Sequence, residues 1–255
     1  MVSLLQAIIL GIVQGITEWL PISSSGHLVL MQTLFGLEPP VLFDVILHIG
    51  SLVVILIVFW KDIKNLAIGV VKKDKTHLNY LLMLLIASIP IFLAGYFLNS
   101  FIKSIFNNLK TVGFSLLFTA FLLYLSKHPK KKNKALNFKN TFLIGIAQAL
   151  AILPGISRSG STISVGLMQG TKKQETARFS FLLFIPAIIG ATVMEAKSIT
   201  EISNLPALII GTIAAIIAGV FSLKLLLRII KKNKFSHFSW YCLILGMIVL
   251  AFAYL

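Results

Sequence analysis

Acidic residues and cysteines are scarce in this sequence. Its 255 residues include 8 aspartates and glutamates and one cysteine, Cys242. A single cysteine excludes an intrachain disulfide bond and a metal site built from several thiolates. Charged residues of both signs make up 12% of the chain, whereas the surface of a soluble domain normally carries about a quarter or more. This composition argues against a soluble globular protein.

Apolar residues take the place of the missing charge. Hydrophobic side chains make up 57% of the residues, and the mean hydropathy is +0.94. Several apolar runs approach the ~20 residues that a helix needs to cross a bilayer. Six segments are predicted to span the membrane: Val41 to Trp60, Leu78 to Leu98, Thr111 to Leu125, Ala177 to Met194, Ala207 to Leu227 and Phe238 to Leu255.

Basic residues outnumber acidic ones, and the formal net charge is +15. Such a surplus can indicate nucleic-acid binding, but only its distribution decides the matter. Most of the lysines and arginines fall in four clusters that we expect to form short loops between spans: 61–75, 127–139, 172–178 and 224–234. The preference of cytoplasmic loops for Lys and Arg explains these clusters, so we expect no nucleic-acid partner.

Two similar segments differ from the plain spans. The first, from Gly11 to Leu28, is GIVQGITEWLPISSSGHL, and the second, from Gly145 to Thr162, is GIAQALAILPGISRSGST. In each, an apolar stretch (4–16 or 142–153) stops at Leu-Pro and a loop of serine and glycine. Non-helical backbone at membrane depth is tolerated only beside protein or a water-filled cavity. Both segments are therefore predicted to be re-entrant helix hairpins.

The charge pattern also predicts the topology. If the first hairpin lies on the outer side, the basic clusters face the cytoplasm, while Lys103, Lys110 and Lys197 lie outside. Each half then holds one re-entrant hairpin plus three transmembrane helices, so the halves are inserted in opposite senses. The prediction is one all-α polytopic membrane domain, 1–255, built as an inverted repeat. Its halves, 1–126 and 140–255, are joined by a basic cytoplasmic loop, 127–139, and the hairpin tips meet.

The first hairpin carries a carboxylate inside the membrane, where an ionisable residue indicates function by default. Gln14 and Glu18 are four residues apart and share one helical face. This pair suits a hard divalent cation, Mg²⁺ or Ca²⁺, which would also bind substrate phosphate oxygens. The alternative is a glutamate at a helix end beside a packing glutamine.

Hydroxyl groups and an imidazole follow in the same hairpin. Ser23, Ser24, Ser25 and His27 could supply a nucleophile and a base, or His27 itself could attack phosphorus. The alternative is that serine and glycine only cap and turn the hairpin.

The second hairpin carries a lone cation. Arg158 is flanked by hydroxyl side chains and stands among apolar residues; these neighbours are Ser157, Ser159, Ser161 and Thr162. Arginine suits bidentate phosphate binding, and hydroxyls with backbone N–H groups add donors for an anion. The alternative is a buried ion pair between Arg158 and Glu18.

Together the hairpins favour phosphoryl transfer on a lipid, because one offers a carboxylate and an imidazole and the other an anion clamp. A transporter or flippase for a phosphorylated lipid or anion is the alternative, since inverted repeats with broken helices are common in transporters. A transporter needs an anion-binding Arg158 but no chemistry from Glu18 or His27. A purely structural scaffold leaves both intramembrane charges unexplained.

At these residues the sequence resembles a known family. EWLPISSSGHL after Gln14, PGISRSGST at 154–162 and FDVILHIGS at 43–51 resemble the undecaprenyl-diphosphate phosphatases, integral membrane enzymes of the bacitracin-resistance type. The resemblance covers essentially the whole chain. It implies hydrolysis of undecaprenyl diphosphate to the monophosphate, which recycles the lipid carrier for cell-wall polymers. It also implies a divalent metal, the plasma membrane, and a site open toward the outer face.

The resemblance also implies roles for individual residues. The family's acidic motif falls on Gln14 and Glu18, and its catalytic serine and histidine fall on Ser24 and His27. Its phosphate-binding arginine falls on Arg158, and the hydroxyl partners implied beside it are Ser157, Ser159 and Thr162. Gln14 is neutral and therefore the weaker metal ligand. The spacing leaves the attacking group open between water, Ser24 and His27.

Three further features are ambiguous in the sequence. Asp44 and His48 are four residues apart; they could line the same cavity, but we favour a hydrogen-bonded pair at a helix start. Trp19 is either an interfacial anchor or a wall of the site. Gly211 and Gly219 permit close helix contact and raise the hypothesis of a homodimer.

Overall fold

The structure, a computed structural model, describes residues 2–37, 41–127, 133–195 and 204–255. Within these ranges the regular elements are helices, apart from one isolated bridge between Lys134 and Thr171. The helices are α1 Leu4–Trp19, α2 Ser24–Leu34, α3 Val41–Val58, α4 Trp60–Val71, α5 Lys75–Phe97, α6 Asn99–Ile105, α7 Leu109–Leu125, α8 Phe138–Leu150, α9 Arg158–Met168, α10 Lys173–Glu195, α11 Leu205–Lys231 and α12 Phe238–Tyr254.

The apolar helices confirm the predicted class, an all-α polytopic membrane protein. Among the described residues, α5, α10, α11 and α12 are each long and apolar enough to cross a bilayer. Two bent pairs raise the number of candidate spans to six, namely α3 with α4, bent by 75°, and α6 with α7, bent by 104°. The division into two halves and the sidedness of the loops stay predictions.

The basic clusters were expected in loops, but part of them lies on helices. Lys61 and Lys64 belong to α4, which begins where the chain turns sharply at the end of α3. Lys224 and Arg228 lie within α11, which continues to Lys231, beyond the predicted end at Leu227. Lysine and arginine are good helix formers, so a basic run at the end of a span continues the helix toward the membrane surface.

Both predicted helix–break–helix hairpins are present. α1 packs against α2, and α8 packs against α9. In the first hairpin Ser23 adopts a positive φ of 69°, and its side chain caps α2 by accepting a hydrogen bond from the Gly26 N–H. In the second, Gly155 has a φ of 94°, and Ser157 caps α9 by accepting from the Gly160 N–H. The serine and glycine loops therefore start two short helices at the hairpin tips.

Close glycine contacts hold α1 in place. Gly11 and Gly15 of α1 face α11, where Gly211 and Gly219 lie on the opposing surface. A Cβ atom at Gly15 would lie 2.8 Å from the Gly219 nitrogen and 2.9 Å from Ala218 Cβ. The small residues of α11 are thus used within the chain, so they give no support to the homodimer hypothesis.

Gly15→Ala is expected to destabilise the protein by about 1–3 kcal/mol, because the new methyl group overpacks the backbone contact between α1 and α11. The midpoint of thermal unfolding in detergent should fall by about 5 °C. Gly95→Ala in α5 is the matched control, since its Cβ would meet nothing nearer than Met194 Sδ at 3.6 Å. Equal midpoints for the two variants would contradict this account of the packing.

Candidate active site

A single cavity of about 1260 Å³ joins the tips of both hairpins. Its apolar walls come mainly from α5, α6 and α10. Its polar end is lined by side chains of both hairpins and of α3: Glu18, Ser23, Ser24, Ser25, Asp44, His48, Ser157 and Arg158. The two hairpin tips thus meet at one cavity, as expected, and that this cavity is the reaction site stays a prediction.

Glu18 is the centre of the polar end. Its Oε1 accepts a hydrogen bond from Arg158 Nη2 at 2.8 Å, across 140 residues of sequence. Its Oε2 accepts from Ser24 Oγ at 2.6 Å. The side chain of Glu18 is only 6% exposed, so both contacts form away from bulk water and are strong. The carboxylate therefore joins the predicted nucleophile to the predicted phosphate clamp.

Arg158 has N–H donors that no protein group among the described residues accepts. Its Nη2 is bonded to Glu18, whereas Nε and Nη1 are buried and have no hydrogen-bond partner among the described residues. The guanidinium lies 4.2 Å from the ring centroid of Phe184 and 5.8 Å from that of Trp19. Buried donors without a partner are rare and indicate a ligand that completes them. The ion pair given as the alternative is present, and it leaves two nitrogens of the guanidinium unpaired.

Trp19 is a buried core residue, neither an interfacial anchor nor one of the residues that line the cavity. It is fully buried, and its ring packs edge-on against Phe181 and Phe184 at centroid distances of 5.9 and 5.7 Å. Phe184, in α10, has no counterpart among the residues that the sequence predicted for the site. Nothing in an apolar helix distinguishes one phenylalanine that will cover an arginine from its neighbours.

The serines of the first hairpin have different roles. Ser24 alone of the three donates to Glu18. Ser23 caps α2, and its Oγ lies 3.2 Å from Ser25 Oγ. All three line the cavity, as does Ser157 of the second hairpin. Since α2 and α9 both begin at this cavity, the positive ends of two helix dipoles point toward it, which favours an anion.

His27 does not face the site as expected. It is not among the residues that line the cavity. Its Nδ1 lies 2.7 Å from the carbonyl oxygen of Ser23, and its Nε2 lies 2.8 Å from the hydroxyl of Tyr241 in α12. The structure therefore does not bring His27 together with Glu18 and Arg158 around one cavity, because these two contacts engage both nitrogens of its ring.

Three predicted substrate-binding residues also lie off the cavity. Ser159 Oγ donates to the Leu20 carbonyl at 3.3 Å, which ties the two hairpins together. Thr162 Oγ1 donates to the Arg158 carbonyl at 2.7 Å and lies 2.6 Å from Ser180 Oγ. Gln14 is fully buried behind Glu18. Ser159 and Thr162 are bonded within the protein, whereas Gln14 donates to Glu18 and keeps a buried Oε1 without a partner among the described residues, so none of the three lines the cavity.

His48 is a residue of the site that the sequence left ambiguous. Its Nε2 lies 3.8 Å from Glu18 Oε2, while its Nδ1 donates to the Asp44 carbonyl at 2.7 Å. The carboxylate of Asp44 accepts from Gln32 at 2.9 Å. The favoured hydrogen-bonded pair is thus made through the backbone of Asp44, and both side chains line the cavity. The signal in the sequence was the four-residue spacing of Asp44 and His48 at the start of a predicted span, which puts both on one helical face.

The residues present do not form a closed metal site. Within the described ranges, no group of three His, Cys, Asp or Glu side chains could hold an ion. Gln14 directs its amide nitrogen, not its oxygen, at Glu18 Oε2 and Ser51 Oγ, at 3.2 Å each. The predicted Gln14–Glu18 metal pair therefore does not fit. The carboxylates of Glu18 and Asp44 do line the cavity, which suits a cation carried mainly by phosphate oxygens.

Comparison with known proteins gives one consistent family. Residues 7–248 match the family described as bacitracin resistance protein BacA. The protein named undecaprenyl-diphosphatase from Halothermothrix orenii is 43% identical, with 98% of each chain covered. Its namesake from Methanosphaera stadtmanae is 42% identical, again with 98% of each chain covered. That from Bacteroides thetaiotaomicron is 40% identical over 97% of this chain and 98% of its own.

Proposed function

The chain belongs to the bacitracin resistance protein BacA family and is an undecaprenyl-diphosphatase, and we propose that Glu18, Ser24 and Arg158 carry out its reaction. The enzyme hydrolyses undecaprenyl diphosphate to the monophosphate and inorganic phosphate, which recycles the lipid carrier for cell-wall polymers. The observation that supports these three residues is the carboxylate of Glu18, shared between Ser24 Oγ and Arg158 Nη2.

Binding of the diphosphate headgroup comes first. The unpaired Nε and Nη1 of Arg158 can donate to oxygens of the terminal phosphoryl group, and the N-termini of α2 and α9 add a positive potential. The apolar walls from α5 and α10 suit the prenyl chain, since the cavity is far larger than a diphosphate needs. Substrate therefore enters with its phosphates toward Glu18 and its chain toward apolar helix.

Attack by Ser24 follows from the short contact with Glu18. As the bond forms between Ser24 Oγ and the terminal phosphorus, the hydroxyl proton passes to Glu18 Oε2 across 2.6 Å. The bond from phosphorus to the bridging oxygen breaks, and undecaprenyl phosphate leaves with the proton returned from Glu18. A water molecule then attacks the phosphoserine phosphorus while Glu18 takes its proton; the bond from phosphorus to Ser24 Oγ breaks, Glu18 returns the proton to Oγ, and inorganic phosphate leaves. Arg158 stabilises the charge on the phosphoryl oxygens in both steps.

We further place the cavity at the outer face of the plasma membrane. The charge pattern supports this orientation, because the basic clusters then face the cytoplasm. Lys103 and Glu195 line the cavity as well and form an ion pair at 2.9 Å, at the end of α10 that this path puts outside. The test replaces Lys103 or Lys64 by cysteine, one at a time, and treats intact cells with a membrane-impermeant thiol reagent. Labelling is expected at position 103 and not at position 64. Labelling only at position 64 would show the opposite orientation and contradict the proposal.

The direct test of the function is phosphate release by the purified protein in detergent with undecaprenyl diphosphate as substrate. The wild type is expected to release phosphate, and Glu18→Gln is expected to abolish it, because the amide cannot accept the Ser24 proton. Arg178→Lys, whose arginine pairs with Asp62 at 3.2 Å and does not line the cavity, should keep wild-type activity. Lipid binding without phosphate release would instead favour the transporter.

A divalent cation, Mg²⁺ or Ca²⁺, is proposed to accompany the diphosphate. It would neutralise phosphate charge, with Glu18 and Asp44 as the oxygen ligands available in the cavity. Chelation with EDTA is expected to lower phosphate release by about tenfold or more, and either ion should restore it. Calorimetry without lipid should show no binding tighter than about millimolar. Micromolar binding to the lipid-free protein would instead indicate a metal site built by the protein alone.

A further inference from the structure

A chain of contacts connects α12 to the first hairpin, which carries Ser24, without passing through the cavity. The Tyr241 hydroxyl lies 2.8 Å from His27 Nε2, and the two rings stack with a centroid distance of 5.8 Å and an interplanar angle of 10°. The adjacent Cys242 Sγ lies 3.5 Å from the carbonyl oxygen of Pro21, in the same turn. One face of α12 thus contacts the segment 21–27 at two points that are 214 or more residues away in sequence.

The bonds of His27 determine its tautomer. Its Nδ1 lies 2.7 Å from the Ser23 carbonyl, which can only accept, so Nδ1 carries a proton and donates. In the neutral ring Nε2 is then the acceptor, and the Tyr241 hydroxyl donates to it. Both nitrogens are engaged in bonds within the protein, so His27 has no free nitrogen for the phosphate.

Ser23 is the residue that this chain holds. It is a non-glycine residue with a φ of 69°, a conformation that costs free energy and persists only when its surroundings enforce it. Its carbonyl accepts from His27 twice, from Nδ1 at 2.7 Å and from the backbone N–H at 3.2 Å. The direction of the next residue, Ser24, follows from the backbone of Ser23, so these bonds set the path of Ser24 Oγ toward Glu18.

We infer that Tyr241 is a positioning residue for the nucleophile, which acts through His27 and the Ser23 carbonyl to keep Ser24 Oγ within reach of Glu18. The inference rests on the proposed role of Ser24. It assigns His27 a structural part in the reaction in place of acid–base chemistry. A displacement of about 1 Å at a reacting atom can cost about a hundredfold in rate, so a remote hydroxyl can matter to catalysis.

The test compares two tyrosine-to-phenylalanine variants in α12. Tyr241→Phe removes one hydroxyl and keeps the ring stacked on His27; kcat should fall about tenfold or more while KM changes by less than about twofold. Its pH–rate profile should keep the wild-type shape. Tyr254→Phe removes the same group from an exposed tyrosine of the same helix and should match the wild type. Wild-type kcat in Tyr241→Phe, or a lost limb of its pH profile, would overturn the inference.

Two further measurements keep the test independent of folding. In a His27→Ala background, Tyr241→Phe should cause no additional loss, since Tyr241 acts only through His27. His27→Asn should retain more activity than His27→Ala, because an amide N–H can replace Nδ1 as the donor to Ser23. Losses that multiply in the double variant, or equal losses for Asn and Ala, would contradict the positioning role. A wild type that releases no phosphate would instead reject the proposed function.

Discussion

Ser24→Ala is expected to lower kcat for phosphate release by about a thousandfold or more. The variant removes the Oγ that attacks phosphorus and that donates to Glu18 Oε2 at 2.6 Å. KM should change little, because Arg158 and the apolar walls that bind the substrate are untouched. The measurement is steady-state phosphate release from undecaprenyl diphosphate in detergent, supported by acid quenching of wild type with substrate labelled in the terminal phosphate, which should trap phosphoserine.

Ser25→Ala is the matched control for this experiment. Ser25 also lines the cavity, but its Oγ contacts Ser23 Oγ at 3.2 Å and makes no bond to Glu18. A loss of at most about tenfold is expected, as for one contact to bound substrate. If Ser24→Ala kept a tenth of wild-type kcat, with no label on the quenched protein, water would be the attacking group and the Ser24–Glu18 contact would serve only to bind.

Arg158→Lys is expected to lower kcat/KM by about 10²- to 10³-fold. Lysine keeps the positive charge but has a single nitrogen, so it cannot bond Glu18 through one nitrogen while two others face a phosphoryl group in a fixed plane. Its ammonium also loses the planar contact with Phe184, at 4.2 Å from the guanidinium carbon to the ring centroid. Removal of one oriented donor from a transition state accounts for a loss of this size.

Arg158→Ala should lose more than Arg158→Lys, since it also leaves the buried carboxylate of Glu18 without its cation. Both variants are measured by initial rates over a range of undecaprenyl diphosphate concentrations, with thermal unfolding in detergent to follow stability. If Arg158→Lys matched the wild type in kcat/KM, charge alone would be enough and the unpaired donors of Arg158 would have no role in the reaction.

The hairpins show where sequence patterns are reliable in this protein. Leu-Pro followed by serine and glycine interrupts a helix for local reasons, because proline lacks an N–H and serine caps the next helix. The predicted breaks therefore lie close to the ends of α1 and α8 and to the beginnings of α2 and α9. The long spans were predictable for an equally local reason, since a bilayer requires about 20 apolar residues in helical form.

The bent pairs and the details of the site were less predictable. The mainly apolar sequence of the 18-residue helix α3 gives no sign that the chain turns by 75° into α4, because the turn depends on what packs beside it. The hydroxyl of Thr162 falls in the right motif, yet it bonds the carbonyl four residues earlier, as helical threonines often do. A motif identifies candidate residues, while the surrounding helices decide which way each one points.

The sequence by itself determined the membrane class, the two hairpins and the presence of two opposite charges in an apolar medium, Glu18 and Arg158, for which an ion pair was one of the interpretations. Burial of either charge alone is costly, which is why the sequence indicated that each needs a partner or a ligand. Only the tertiary structure decided that Ser24 shares this carboxylate, that Phe184 covers the guanidinium, and that His27 turns to Tyr241. Those placements depend on packing between segments far apart in the chain, and no local pattern of residues encodes the direction of a single side chain.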